Sequence, residues 1–180
     1  RALENELYKY PEYVIKDNIR KIYIVENLRF YHKEFEKSNS GEYMYLTYDT
    51  ESHNRKKTLI KNFHSEFSRM LQYKYKIQEN DYLMDKWNSI HPDGFTYGDE
   101  NNDFTSASLF DLYDLGFLSV DSVKSLATDF DMYVEYMFTS PEELISLSQK
   151  YPGIKQKVET LIYLYSLLDP VFTEEYFLSM

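Results

Sequence analysis

Cysteine is absent from the chain, which excludes a disulfide framework, a thiolate metal site and a thiol nucleophile together. Positive charge is scarce: 20 Lys and Arg stand against 30 Asp and Glu, for a net charge of −10. That balance opposes broad attraction to nucleic acid or to an anionic membrane surface, so no nucleic-acid partner is expected. No apolar run approaches the roughly 20 residues needed to cross a bilayer, and no transmembrane segment is expected. There is no glycine-rich phosphate loop and no Gly-x-Ser-x-Gly elbow. Acidic pairs such as Glu34/Glu36, Asp111/Asp114 and Glu174/Glu175 are common in so acidic a chain and read as solvated faces.

What is abundant is aromatic. The chain has 19 tyrosines against five glycines and five prolines. Tyrosine-rich surfaces can stack on sugars or grip peptides, but joint enrichment in Tyr, Phe, Lys, Asn and Ile is also what an AT-rich genome produces. At 180 residues the chain is long enough for a real core and gives no reason to be cut, so residues 1–180 are read as one domain. It opens on Arg1, and the N-terminal part of the full-length protein is expected to be missing.

The apolar spacing from Leu3 to Asn18 is helical, with a kink or restart at Pro11. Lys21-Ile22-Tyr23-Ile24-Val25 and Tyr43-Met44-Tyr45-Leu46-Thr47-Tyr48 are β-branched and aromatic, and predict two strands around a loop that includes Ser38-Asn39-Ser40-Gly41. From Asn54 to Ile77 the residues Leu59, Ile60, Phe63, Phe67, Met70 and Leu71 share one helical face. The stretch Glu79–Asp103 is rich in turn-formers and reads as long loops carrying Trp87, His91 and Tyr97. Beyond it the pattern is helical: 109–115, a break at Gly116, 120–138, 141–150 and 154–168.

The central helix contains Asn62-Phe63-His64-Ser65-Glu66-Phe67-Ser68-Arg69-Met70-Leu71. This segment resembles the Phe-His-His-Glu-Phe-x-His-x-Leu stretch of putative zinc metallopeptidase lipoproteins of Bacteroidetes, the substrate-import-associated zinc metallohydrolases. Tyr10-Pro11, Lys21–Val25, Thr47-Tyr48, Trp87, Gly116-Phe117-Leu118-Ser119, Asp129-Phe130 and Tyr151-Pro152-Gly153-Ile154-Lys155-Gln156-Lys157 fall in matching order, so the resemblance spans nearly the whole chain. It implies an α+β, zincin-like fold with a small N-terminal sheet, a central motif helix and a mostly helical C-terminal half.

In an HExxH helix two neutral imidazoles one turn apart hold Zn²⁺, and the glutamate between them takes a proton from metal-bound water. The resemblance places the ligands on Ser65 and Arg69 and the general base on Glu66, so only a vestigial base survives. Serine is a poor neutral ligand, and arginine stays protonated with no lone pair to offer. The family's third, carboxylate ligand falls on Thr128 or Met132, neither of which supplies one. His64 is rotated about 100° around the helix from Ser65 and is not a substitute; His32, His53 and His91 show no ligand spacing. Glu66 and Arg69, three apart, also fit a plain helix-surface ion pair worth about 0.2–0.5 kcal/mol.

The expectation is therefore a catalytically inactive homologue of a zinc metallopeptidase, with no metal or other cofactor, although zinc is expected in active relatives. The resemblance implies an exported, lipid-anchored protein of the cell envelope that serves nutrient uptake by binding a peptide, a glycan or an outer-membrane uptake protein. The candidate cleft comprises His64, Glu66, Arg69, Trp87, Tyr97, Asp129 and Asp131. Two alternatives stand beside it: a divergent metal-dependent hydrolase using Glu66 with a non-standard metal site, and a purely structural subunit with a closed cleft.

Overall fold

The computed structural model describes residues 2–99, Phe104 and 107–180. The chain divides into two compact units, Arg1–Tyr75 and Lys76–Met180. The first holds helices α1 (Glu4–Leu7) and α2 (Glu12–Asn18), strands β1 (Lys21–Val25), β2 (Arg29–Phe30), β3 (Lys33–Glu34), β4 (Lys37–Ser40) and β5 (Tyr43–Thr47), and helix α3 (Arg55–Lys74). Pro11 is the N-cap of α2. Its fixed φ suits a helix start, so of the kink or restart expected at Pro11 the chain takes the restart.

The main sheet has the order β1-β5-β4, with β1 parallel and β4 antiparallel to β5. Alternation divides β5 cleanly. Met44 and Leu46 are fully buried, on the face that carries Lys37 and Asn39 of β4 by register, and α3 packs against both strands. Tyr43 and Tyr45 point the other way and stack with Tyr23 of β1 at centroid distances of 6.4 and 5.1 Å. The expected loop before Gly41 is therefore partly strand. Ser38-Asn39-Ser40 lacks β-branched residues, but its backbone pairs with β5, and Gly41, with φ +60°, supplies the left-handed turn that closes the hairpin.

Helix α3 fulfils the strongest helical pattern. Phe63 and Phe67 are fully buried, Leu59, Met70 and Leu71 nearly so, and Tyr10 meets both phenylalanine rings edge-on at 6.2 and 4.9 Å. Residues 62–68 are buried without interruption. The polar side chains among them are consequently inside the protein and must find partners there.

The second unit is helical: α4 (Asp81–Asn88), α5 (Leu109–Asp114), α6 (Leu126–Thr139), α7 (Pro141–Ser148), α8 (Pro152–Leu168) and α9 (Glu174–Leu178), with 3₁₀ turns at Ile77–Glu79 and Val120–Val123. Here the reading of 79–103 as loops is corrected. Residues 81–88 form α4, started by Asn80, whose side chain accepts from the Leu83 N–H, and Trp87 lies on this helix, not on a loop. Of the expected turn-forming run, residues 100–103 lie outside the described residues. The expected helix 120–138 is split at Ser125, which caps α6 through the Thr128 N–H. Gly116 has φ +76°, and a Cβ there would lie 2.6 Å from Ile90 Cδ1 and 3.3 Å from the Gly153 backbone. Two short motifs far apart in sequence thus meet glycine to glycine. The fold class is mixed α+β with a small sheet, and among the described residues no helix is long and apolar enough to cross a membrane.

Candidate functional sites

The motif positions of α3 lie in the first unit. Ser65 is fully buried; its Oγ accepts a hydrogen bond from Lys37 Nζ and donates to the Lys61 carbonyl at 3.0 Å. Glu66 is 2% exposed; Oε1 accepts from Asn39 Nδ2 at 2.6 Å, and Oε2 lies 4.0 Å from the Arg69 guanidinium. The surface-pair reading of Glu66 and Arg69 is thereby corrected. The carboxylate is inside, the guanidinium side chain is 39% exposed, and 4.0 Å is a long ion pair, not a hydrogen bond. Strand β4 supplies both new partners, because Lys37 and Asn39 are two apart and share the face turned to α3.

His64 faces another way. Fully buried, it receives the Tyr10 hydroxyl at Nδ1 (2.8 Å) and donates from Nε2 to Glu6 Oε2 (2.9 Å). Burial drives the imidazole down to about 4 against the pull of Glu6, so the ring is neutral at pH 7 and both nitrogens are engaged. Burial works to raise Glu6, but hydrogen bonds from His64 and Lys9 overcome it and hold the carboxyl at about 2.

The second unit contains Trp87, Tyr97, Thr128, Asp129, Asp131 and Met132. Three of these converge. Asp129 Oδ2 accepts from Trp87 Nε1 (2.9 Å), the Tyr97 hydroxyl (2.7 Å) and Lys157 Nζ (2.6 Å), while Oδ1 is buried with no hydrogen-bond partner among the described residues. Lys157, fully buried, also donates to the Gly116 carbonyl at 2.8 Å. Its ammonium lies 4.4 Å from the Phe117 ring centre, 5.3 Å from Trp87 and 5.5 Å from Tyr133, a cation–π cage occupied by the protein's own lysine. Burial pulls that ammonium down to about 8 despite Asp129 and pushes the Asp129 carboxyl up against Lys157 and the other donors. Three donors on one oxygen fit a carboxylate, hence a buried ion pair. Thr128 is half-buried and its hydroxyl meets the Ser125 hydroxyl at 2.8 Å; Met132 is half-buried and Asp131 buried on the same helix.

The residues that the sequence resemblance sets at HExxH positions are engaged by other groups. Ser65 Oγ is taken up by an ammonium and a carbonyl, and Arg69 brings a second cation. Among the described residues no group of three or more His, Asp or Glu is arranged to hold a metal. Sequence reasoning missed Lys37, Lys157 and the Tyr10–His64–Glu6 chain. A signal for Lys157 existed, because it falls in the α8 stripe of Ile154, Val158, Leu161, Leu164 and Tyr165, all buried, and a lysine there demands a buried partner. No family model, no curated protein and no solved structure matches the chain.

Proposed function

We propose that this chain is a zincin-like domain that has exchanged its catalytic metal for side-chain cations, and that it works as a non-catalytic binding or assembly component of an outer-membrane nutrient-uptake system. The observation that carries this reading is the environment of Glu66. In an HExxH site the glutamate and its neighbours face a dication; here Lys37 lies on the first ligand position and Arg69 is the second, so positive charge comes from the protein itself. A cation added among them would meet like charge from Lys37 and Arg69, set against one buried carboxylate oxygen, Glu66 Oε2, that has no hydrogen-bond partner among the described residues. The sequence resemblance supports the zincin-like architecture, export and lipid anchoring in the cell envelope, and a peptide, glycan or uptake-protein partner.

Burial of Ser65 and Glu66 favours, as a second reading, a structural subunit with a closed cleft, although the partly exposed Arg69 side chain still offers a contact. A fluorogenic peptide screen on the intact chain with added zinc, compared with Glu66→Ala, tests the non-catalytic assignment. The expected result is no Glu66-dependent cleavage. Turnover lost on Glu66→Ala would overturn the proposal and restore the divergent-hydrolase alternative.

A further inference from the structure

The segment after α4 encloses an open pocket of about 500 Å³ whose walls include Asn88, His91, Asp93, Phe95, Thr96 and Tyr97. Its chemistry is set by the buried pair behind it. The Tyr97 hydroxyl gives its one proton to Asp129 Oδ2 at 2.7 Å, so its contact with His91 Nε2 at 3.3 Å requires the imidazole to be the donor. His91 Nδ1 is then an acceptor, and it has no hydrogen-bond partner among the described residues. The ring is held in place by stacking on Phe117 at 5.0 Å, a tilted contact with Phe95 at 4.7 Å and an edge contact with Tyr97 at 5.1 Å. Burial, aided by the Lys157 charge, lowers His91 to about 4, so it stays neutral.

We propose that this pocket is a binding site for a neutral, hydroxyl-rich ligand, a mono- or disaccharide, with His91 Nδ1 as its fixed acceptor. Phe95 and Tyr97 bring aromatic rings to the lining, whose faces suit sugar C–H groups, and Asn88, Asp93 and Thr96 suit hydroxyls. Anions are disfavoured, because among the described residues no lysine or arginine lines the pocket and Asp93 does. Quaternary ammonium ligands find no cage, because the rings of Trp87, Phe117 and Tyr133 already surround Lys157. The site lies wholly in the second unit and is independent of the α3 positions.

Saturation-transfer NMR on the intact chain tests this with methyl glycosides of glucose, galactose, mannose and xylose, the disaccharides maltose and cellobiose, and choline chloride as the cationic comparison. At least one saccharide is expected to bind. His91→Ala and Asn88→Ala, the latter at an exposed position that leaves the core intact, should each weaken it about three- to tenfold, the worth of one neutral hydrogen bond, and Asp93→Ala, also exposed, by at least as much because it removes a charged acceptor. Silence of every saccharide at millimolar concentration, binding indifferent to the three variants, or binding of choline in their place would overturn the proposal.

Discussion

Burial keeps the His64 ring neutral down to about pH 4 in the folded chain, whereas in an unfolded chain it titrates near 6.5. Between those values the unfolded state holds a proton that the folded state refuses, so acid favours unfolding and stability falls as pH drops from 6.5 towards 4. The full effect is about 3 kcal/mol. Urea unfolding followed across this range should show the slope, and His64→Gln should flatten it in part, because the half-buried His91 is lowered to the same value and the lowered Glu6 carboxyl adds to the slope towards pH 4; an unchanged slope would contradict the buried neutral imidazole. Lys157 poses the opposite case, a charge kept inside by a partner. Lys157→Met leaves Asp129 buried and unpaired and should cost about 3–5 kcal/mol, while Lys157→Met with Asp129→Asn should cost less than the sum of the two single changes. Additive costs in that cycle would mean the pair is not coupled.

Elements add constraints that no single side chain carries. Helix α3 is gripped by Phe63 and Phe67 against Tyr10, and Phe67→Ala should destabilise by about 3–5 kcal/mol in chemical denaturation. At the α5–α8 contact, Gly116→Ala forces a side chain onto a left-handed backbone and into Ile90, so the cost should exceed about 1 kcal/mol and lower the Tm; an unaltered Tm would refute the close approach. The elements legible in the sequence were those with a strong local signal: α3 by its 3.6-residue period, β1 and β5 by β-branched and aromatic content, and the Gly116 break. What stayed hidden was set by pairing at a distance. Strand β4 is polar and is a strand only because β5 lies beside it, and α4 sits within a run of turn-forming residues but is started by one Asn80 cap. The partners of Ser65 and Glu66 were hidden for the same reason, because Lys37 and Asn39 reach them through strand register, over 28 and 27 positions of sequence. Restoring the motif tests the helix itself: Ser65→His with Arg69→His and Lys37→Ala places two imidazoles one turn apart with the ammonium removed. Zinc binding by chelator competition should appear in this variant and not in the parent.

On the scale of the whole molecule, the net charge of −10 makes any generic affinity for divalent cations a matter of surface carboxylates, and such binding should weaken with salt. A true α3 site would resist salt and depend on Glu66. The measurement that bears most directly on the account is therefore the zinc stoichiometry of the purified chain at about 0.15 M salt, set beside Glu66→Ala. The account predicts less than stoichiometric zinc and no difference between the two proteins. One zinc per chain, retained in salt and lost on Glu66→Ala, would contradict it.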